Sequence, residues 1–275
     1  MEQKLVFVDL DGTLLNQHQQ VPDSAKEACL AAVANGHRLF MCTGRCVPEI
    51  YPWLWDLGFT GLVGAGGGYV EVEGEAILDE RHSFPVIADV SDVLSDLGAD
   101  WVWQSPTAIN PSAGYLELFV DPPGQEGQHG NWAAYREQVV PYVRGGLPQT
   151  ASKCLFVLPG EEHSDVQAVR SRFGTRVHIV DGAASRPHGP MAEILPLGCN
   201  KAVGMRAVRS FLGDSSAETV AIGDSPNDLE LLHAADFSVA MGNAAAPIRA
   251  AADIVTSGVN ENGLWRAFQQ ANLLD

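Results

Sequence analysis

The 275-residue chain has no apolar run near the 18 or so residues that a membrane-spanning helix needs, and no signal-peptide pattern at its start. Its five cysteines, Cys29, Cys42, Cys46, Cys154 and Cys199, are odd in number, scattered and without a C-x-x-C pair. That excludes a disulfide framework or a thiolate zinc site as the organising device. Basic residues are scarce: 17 Lys and Arg stand against 34 Asp and Glu, a formal charge of -17. Nucleic acid and anionic membranes both call for a basic footprint, so neither is an expected partner. Internal repeats and low-complexity tracts are also lacking. These absences predict a cytoplasmic globular protein of one large or two ordinary domains, a monomer or small homo-oligomer, whose partner is a small molecule.

What is present centres on Val6-Phe7-Val8-Asp9-Leu10-Asp11-Gly12-Thr13. Leu5 to Val8 is a short continuous apolar run, as expected for a central parallel strand covered on both faces. Side chains alternate along a strand, so Asp9 and Asp11 point the same way. Two like charges 4 Å apart repel by about 4 kcal/mol at an effective dielectric near 20. A bound cation is the simplest compensation.

The rest of the chain alternates strand and helix at first. A helix is predicted from Ala25 to Ala34, a strand from His37 to Cys42, a helix from Ile50 to Leu57, and strands at Leu62-Val63 and Tyr69–Val72. Thr43-Gly44-Arg45 follows the second strand. Between Ser83 and Pro196 the rhythm changes. Strands are predicted at Trp101–Gln104, Tyr115–Val120, Leu155–Leu158, Arg176–Val180 and Met191–Leu195, with helices at Ile87–Leu97, Trp132–Val140 and Glu162–Phe173. A loop, Asp121–Asn131, is full of Pro, Gly and Gln. From Asn200 the parallel pattern resumes with a helix at Lys201–Leu212 and a strand at Thr219–Ile222 that ends in Gly223-Asp224-Ser225-Pro226-Asn227-Asp228. The fold class is therefore α/β: a Rossmann-like parallel-sheet core, residues 1–82 and 197–275, with an α+β cap inserted over 83–196.

In an open parallel sheet, ligands bind outside the carboxyl ends of the strands. Asp9, Thr43 and Asp224 each occupy such an end. Together with Lys201, Asn227 and Asp228 they offer a nucleophilic carboxylate, a hydroxyl, a fixed cation and extra acids for a hard metal. That inventory suits phosphoryl transfer, where catalysis is mostly positioning and charge neutralisation. Taken singly, Thr43 reads as a turn residue and Lys201 as solvated surface, and Asp224 and Asp228 also read as helix-start acids.

D-L-D-G-T, T-G-R, a lysine and G-D-S-P-N-D, in this order, resemble the haloacid-dehalogenase-type (HAD) hydrolase superfamily. An insertion between the Thr and Lys motifs, with E-I-L-P-L-G-C-N-K (Glu193–Lys201) and V-A-M-G-N-A (Val239–Ala244), is similar to its Cof-type phosphatases with a type IIB cap. The resemblance implies a Mg²⁺-dependent phosphatase acting on a small phosphorylated metabolite, with a sugar phosphate the leading class. It implies Asp9 as nucleophile and Asp11 as general acid and base. It further implies metal held by Asp9, Asp11 and Asp224 with Asp228 direct or through water, and Thr43, Gly44, Arg45, Lys201 and Asn227 facing substrate. A phosphohexomutase and a non-catalytic phosphometabolite-binding protein are the alternatives. The mutase needs a second phosphate site, and residues 83–196 carry only seven Lys and Arg against 13 Asp and Glu. Gly64-Ala65-Gly66-Gly67-Gly68-Tyr69 departs from the family, which has an Asn-Gly pair there; it reads as backbone lining the pocket. Trp101 and Trp103 read as core packing before ring stacking. Arg170, Arg172 and Arg176 read as solvated residues before a second anion site.

Overall fold

The computed structural model describes residues 2–120, 132–160, 164–182, 190–213 and 216–274. In chain order the strands begin with β1 (Lys4–Val8), β2 (Arg38–Cys42), β3 (Phe59–Gly64), β4 (Tyr69–Val72), β5 (Glu75–Asp79) and β6 (His82–Ser83). They continue with β7 (Asp100–Gln104), β8 (Ile109–Pro111), β9 (Thr150–Ala151), β10 (Lys153–Val157), β11 (Val177–Asp181) and β12 (Met191–Pro196). The last three are β13 (Glu218–Gly223), β14 (Phe237–Ala240) and β15 (Ile254–Val255). The chain divides into two compact units: Met1–Gly44, Tyr51–Leu78 and Asn200–Asp275 form one, and Arg45–Ile50 with Asp79–Cys199 form the other. The hexapeptide Arg45–Ile50 thus belongs to the second unit, although the sequence reading leaves it in the first segment of the core.

The first unit is built on an eight-stranded sheet in the order β15-β14-β13-β1-β2-β3-β4-β5. Strands β15 through β3 are parallel, and β4 turns back antiparallel to β3. From β1 the chain runs outward through β2 and β3, and the later strands run outward from β13 on the other side. The order therefore reverses between β1 and β13, where Val8 lies opposite Ile222. A crevice for ligand is expected at such a point. Phe7 and Phe40 stack across β1 and β2 with centroids 5.1 Å apart and are fully buried. They join Leu5, Val63, Val70, Met205 and Val208 in one apolar cluster, which fixes the strand ends above it.

The second unit has a five-stranded sheet ordered β11-β12-β10-β7-β8, antiparallel at every pairing, and a two-stranded sheet of β6 with β9. One face of the larger sheet carries Trp103, Cys154, Phe156 and Ile194 against the helices Phe84–Asp96 and Ser164–Phe173. The other face carries Val102, Leu155 and Val157 with Tyr115, Phe119, Tyr135 and Val139.

Most expected elements form within a residue or two, the usual uncertainty of helix and strand ends. Two differ in kind. Tyr115–Phe119 is a 3₁₀ turn and not a strand; it buries Tyr115 and Phe119 on one side, in edge contact at 5.2 Å. Ile50–Leu57 is not an α-helix: Pro52–Leu57 forms a 3₁₀ turn, and another precedes the segment at Val47–Glu49. Pro48 and Pro52 each lack an N–H, and each sits at the start of a short turn where none is needed. The expected loop at Asp121–Asn131 and the start of the helix expected at Glu162 lie outside the described residues. Trp103 is core, as expected, with Nε1 donating to Ser91 Oγ at 2.8 Å.

All five thiols are free and buried. Burial pushes Cys29 up to about 12 and Cys199 up to about 11, so both stay protonated and unreactive. Among the described residues no helix is long and apolar enough to cross a membrane.

Candidate active site

Asp9 leaves the end of β1 and Asp224 the end of β13, so the pairing of the two strands brings the acids together. The turn after Asp9 is tight: Gly12 has φ +91, and a Cβ there would collide with the Asp224 carboxylate. A left-handed backbone and a missing side chain are both required, and glycine meets both conditions. Asp228 enters from the 3₁₀ turn Pro226–Asp228, whose capping box returns its carboxylate to the backbone. Asp228 Oδ2 accepts from the amides of Asp224 at 3.0 Å and Ser225 at 2.9 Å. Its Oδ1 accepts from Lys201 Nζ at 2.6 Å, and the same ammonium donates to Asp9 Oδ1 at 2.6 Å.

Lys201 opens the helix Lys201–Leu212 and is fully buried, so it is not the surface residue that its position alone suggests. Two features set it in place. Asn200 caps the helix by accepting from Val203 N at 2.9 Å. Gly67, at φ +96, brings the glycine-rich turn against the backbone of Asn200 and Lys201, where any Cβ would collide. Gly66 N also donates to Thr43 O at 3.0 Å. The glycine run therefore joins the ends of β2 and β3 to the start of the lysine helix.

Three further residues contribute, of which sequence reasoning missed Thr13 and Gln19. Thr13 Oγ1 donates to Asp224 Oδ1 at 3.1 Å. Asn243, read above only as part of V-A-M-G-N-A, donates to Asp224 Oδ2 at 3.2 Å and to Gly12 O at 2.9 Å. Gln19 Nε2 donates to Asp11 Oδ1 at 3.3 Å, from a backbone at φ +59. Its Oε1 accepts from Tyr51 OH at 3.3 Å. Such a conformation in a non-glycine residue is costly and collects at functional sites. Thr43 is buried at the end of β2, Asp11 is exposed, and Asn227 Oδ1 accepts from Ser225 Oγ at 2.7 Å. Gly44 closes the first unit's part of this loop. Arg45 lies in the second unit, where it donates to Glu49 O at 3.0 Å and faces the Tyr135 ring.

One carboxylate oxygen from each of Asp9, Asp224 and Asp228 lies within 4.8 Å of the others. Burial pushes Asp9 well above the usual carboxylate range, with Asp228 and Asp224 adding to the rise and Lys201 opposing it. Burial also lifts Asp224 to about 7, helped by Asp228. Burial alone would lower Lys201, but the charges of Asp228 and Asp9 hold it well above its ordinary value. Three acids facing one ammonium leave an excess of negative charge, which oxygen-ligated divalent cations satisfy. The residues present fit such an ion.

The family model described as haloacid dehalogenase-like hydrolase matches residues 6–268. The HMP-PP phosphatase of Serratia proteamaculans (strain 568) is 28% identical over 247 residues, covering 88% of this chain and 84% of that protein. The 5-amino-6-(5-phospho-D-ribitylamino)uracil phosphatase YwtE of Bacillus subtilis (strain 168) is 25% identical over 279 residues, with 95% of each covered. Among solved structures, a HAD subclass IIB sugar phosphatase superposes with a TM-score of 0.78 at 21% identity, covering 98% of this chain and 99% of that one.

Proposed function

The chain belongs to the haloacid dehalogenase-like hydrolases, and from that premise we propose that it is a Mg²⁺-dependent phosphatase of a small phosphomonoester, with a sugar phosphate as the leading class. The observation that carries this reading is Lys201 held between Asp9 and Asp228, with Asp224 beside them at the reversal of strand order. Relatives named for small phosphorylated metabolites support the substrate class.

Asp9 attacks phosphorus, the bond to the leaving oxygen breaks, and an aspartyl-phosphate forms. Asp11 gives its proton to the leaving oxygen, releasing the alcohol, and then takes a proton from the water that attacks the aspartyl-phosphate. Inorganic phosphate leaves and Asp9 is restored. Lys201 neutralises Asp9 and Asp228 in the resting site and faces the phosphoryl oxygens with Thr43. Asp9, the Asp11 carbonyl and Asp224 would hold Mg²⁺, which supplies charge neutralisation at the phosphoryl oxygens. Asp228, which accepts from Lys201 and from the amides of Asp224 and Ser225, holds the lysine and the loop in place beside the ion. Asn227 shapes the same loop. Buried free cysteines are in keeping with a reducing, cytoplasmic setting.

Interconversion of hexose phosphates would require a second phosphate site. The three arginines that could have formed one are engaged by acids: Arg170 by Asp181, and Arg172 and Arg176 by Asp89. The reading is tested by phosphate release from a panel of sugar phosphates, nucleotides, pyridoxal phosphate and phosphoglycolate. Release should vanish with chelator and with Asp9→Asn. Tight binding without turnover across the panel would overturn it in favour of a binding protein.

A further inference from the structure

Gln19 holds a left-handed backbone that glutamine seldom adopts, at φ +59, and it is buried. The loop after Asp11 keeps it there. Gly12 N donates to Leu15 O at 2.8 Å, and Asn16 N to Gln20 O at 2.9 Å. Asn16 closes the tip: its Oδ1 accepts from the amides of His18 at 2.9 Å and Gln20 at 3.1 Å. Its carbonyl accepts from Gln19 N at 2.9 Å, and its own amide donates to Asn260 Oδ1 at 3.1 Å. A strained residue persists where its surroundings over-determine it, and these bonds do so.

From that backbone the Gln19 side chain reaches back to the start of the loop. Nε2 donates to Asp11 Oδ1 at 3.3 Å, and Oε1 accepts from Tyr51 OH at 3.3 Å. Tyr51 is buried and stacked on Trp53, with ring centroids 5.6 Å apart. All of these residues lie in the first unit. An ionised carboxylate only accepts, so the amide nitrogen faces Asp11 and the amide oxygen faces the hydroxyl. Oδ1 accepts this bond equally when Asp11 carries its proton on Oδ2. The contact therefore gives the carboxyl a direction in both states and does not compete for the proton. Asp11 is exposed, and an exposed aspartate without such a tether samples several rotamers.

We propose that Gln19, braced by Tyr51, is a positioning residue that aims Oδ2 of Asp11 at the leaving oxygen. This rests on the phosphatase reading, in which Asp11 is the general acid. As Asp9 bonds to phosphorus and the bond to the leaving oxygen breaks, the proton on Oδ2 passes to that oxygen. The alcohol departs, and Asp11 is left ionised with Oδ1 still held. Oδ2 then takes a proton from the water that attacks the aspartyl-phosphate. A displacement of 1 Å can cost about 100-fold in rate. The loss should be felt most where the leaving oxygen most needs a proton.

The test measures kcat/KM for p-nitrophenyl phosphate, phenyl phosphate and an alkyl phosphate, glucose 6-phosphate, in the wild type and Gln19→Met. The two aryl esters differ little in shape, but p-nitrophenolate leaves readily as an anion while phenolate and alkoxide leave with increasing need of a proton. The loss in the variant should grow in that order, and the two ends should differ at least tenfold. An equal loss on all three would mean that Gln19 only shapes the loop, and overturns the proposal. Gln19→Gly gives the control for strain. Methionine keeps the side-chain bulk and the strained backbone and glycine keeps neither, so their urea midpoints should differ while the dependence on leaving group is the same. A dependence that follows the midpoint instead also counts against Gln19 acting through Asp11. Should both variants fail to fold, Tyr51→Phe removes one hydroxyl and should show a smaller trend of the same sign; no trend there sinks the idea. If the wild type releases phosphate from no ester, the phosphatase reading falls and this proposal with it, an outcome distinct from turnover without a trend.

Discussion

Lys201 and Lys153 are both fully buried, and each lies 2.6 Å from a carboxylate oxygen, yet their surroundings are unbalanced in opposite ways. Around Lys201 the hydrogen bonds are well filled: Asp228 uses both oxygens, and Asp224 takes donors from Thr13 and Asn243. What is left over there is negative charge. Around Lys153, which pairs with Glu193, what is left over is hydrogen-bonding capacity at Gln104 and Glu193. The first unit has an excess of negative charge, which a cation satisfies; the second has buried polar atoms left without partners.

The largest expected effect falls on the first unit. Asp9→Asn should lower phosphate release on the order of 10⁴-fold or more, because the proposed covalent step would lose its nucleophile. Retained turnover in a discontinuous phosphate assay would break the contrast at its root. Next, Lys201→Met and Lys153→Met should each destabilise by about 3–5 kcal/mol, since each strands a buried carboxylate. Urea denaturation then sharpens the comparison: millimolar Mg²⁺ should recover part of the loss for Lys201→Met and none for Lys153→Met. Equal recovery in both would erase the distinction.

A third effect belongs to the second unit. Burial lowers His82 to about 4, opposed by its hydrogen bond to the Ile194 carbonyl. The unfolded chain titrates near 6.5 and so binds the proton first as pH falls. Stability from this group is therefore full above about 6.5 and is lost as pH drops toward 4, by about 3 kcal/mol in all. His82→Phe should flatten that slope in denaturation series between pH 7 and 4. The smallest effect is at Asn200→Ala, where losing the helix cap costs about 1 kcal/mol. It should appear as a drop of a few degrees in Tm.

The first unit was largely legible because its signals are local. Leu5–Val8 and Thr219–Ile222 are apolar runs that end in acids, and a parallel sheet places such ends together by topology. The glycine run at 64–68 could be seen but not interpreted. Its purpose, letting Gly67 pack on the Asn200 backbone, depends on residues 133 positions away. In the second unit, Tyr115–Val120 misled because apolar residues at alternate positions also satisfy a 3₁₀ turn that buries Tyr115 and Phe119 together. The Gln104–Lys153–Glu193 face was hidden for a different reason: three strands contribute one residue each, and only their register unites them. Lys153, a charge directly before the apolar run Cys154–Leu158, was the one available hint.

The reversal of strand order between β1 and β13 also governs the timing of synthesis. Asp9 and Asp224 are neighbours in the sheet but 215 residues apart in sequence, so at 5–20 residues per second one leaves the ribosome about 10–40 s before the other. Every residue of the second unit, ending at Cys199, is made before β13 exists. The nascent chain therefore carries Asp9 on a strand with an unpaired edge through most of translation, and the inserted unit has all its residues before Asp9 and Asp224 can meet. A chaperone or a slow codon acting in that interval would meet a protein whose second unit is complete in sequence and whose two facing aspartates are still half written.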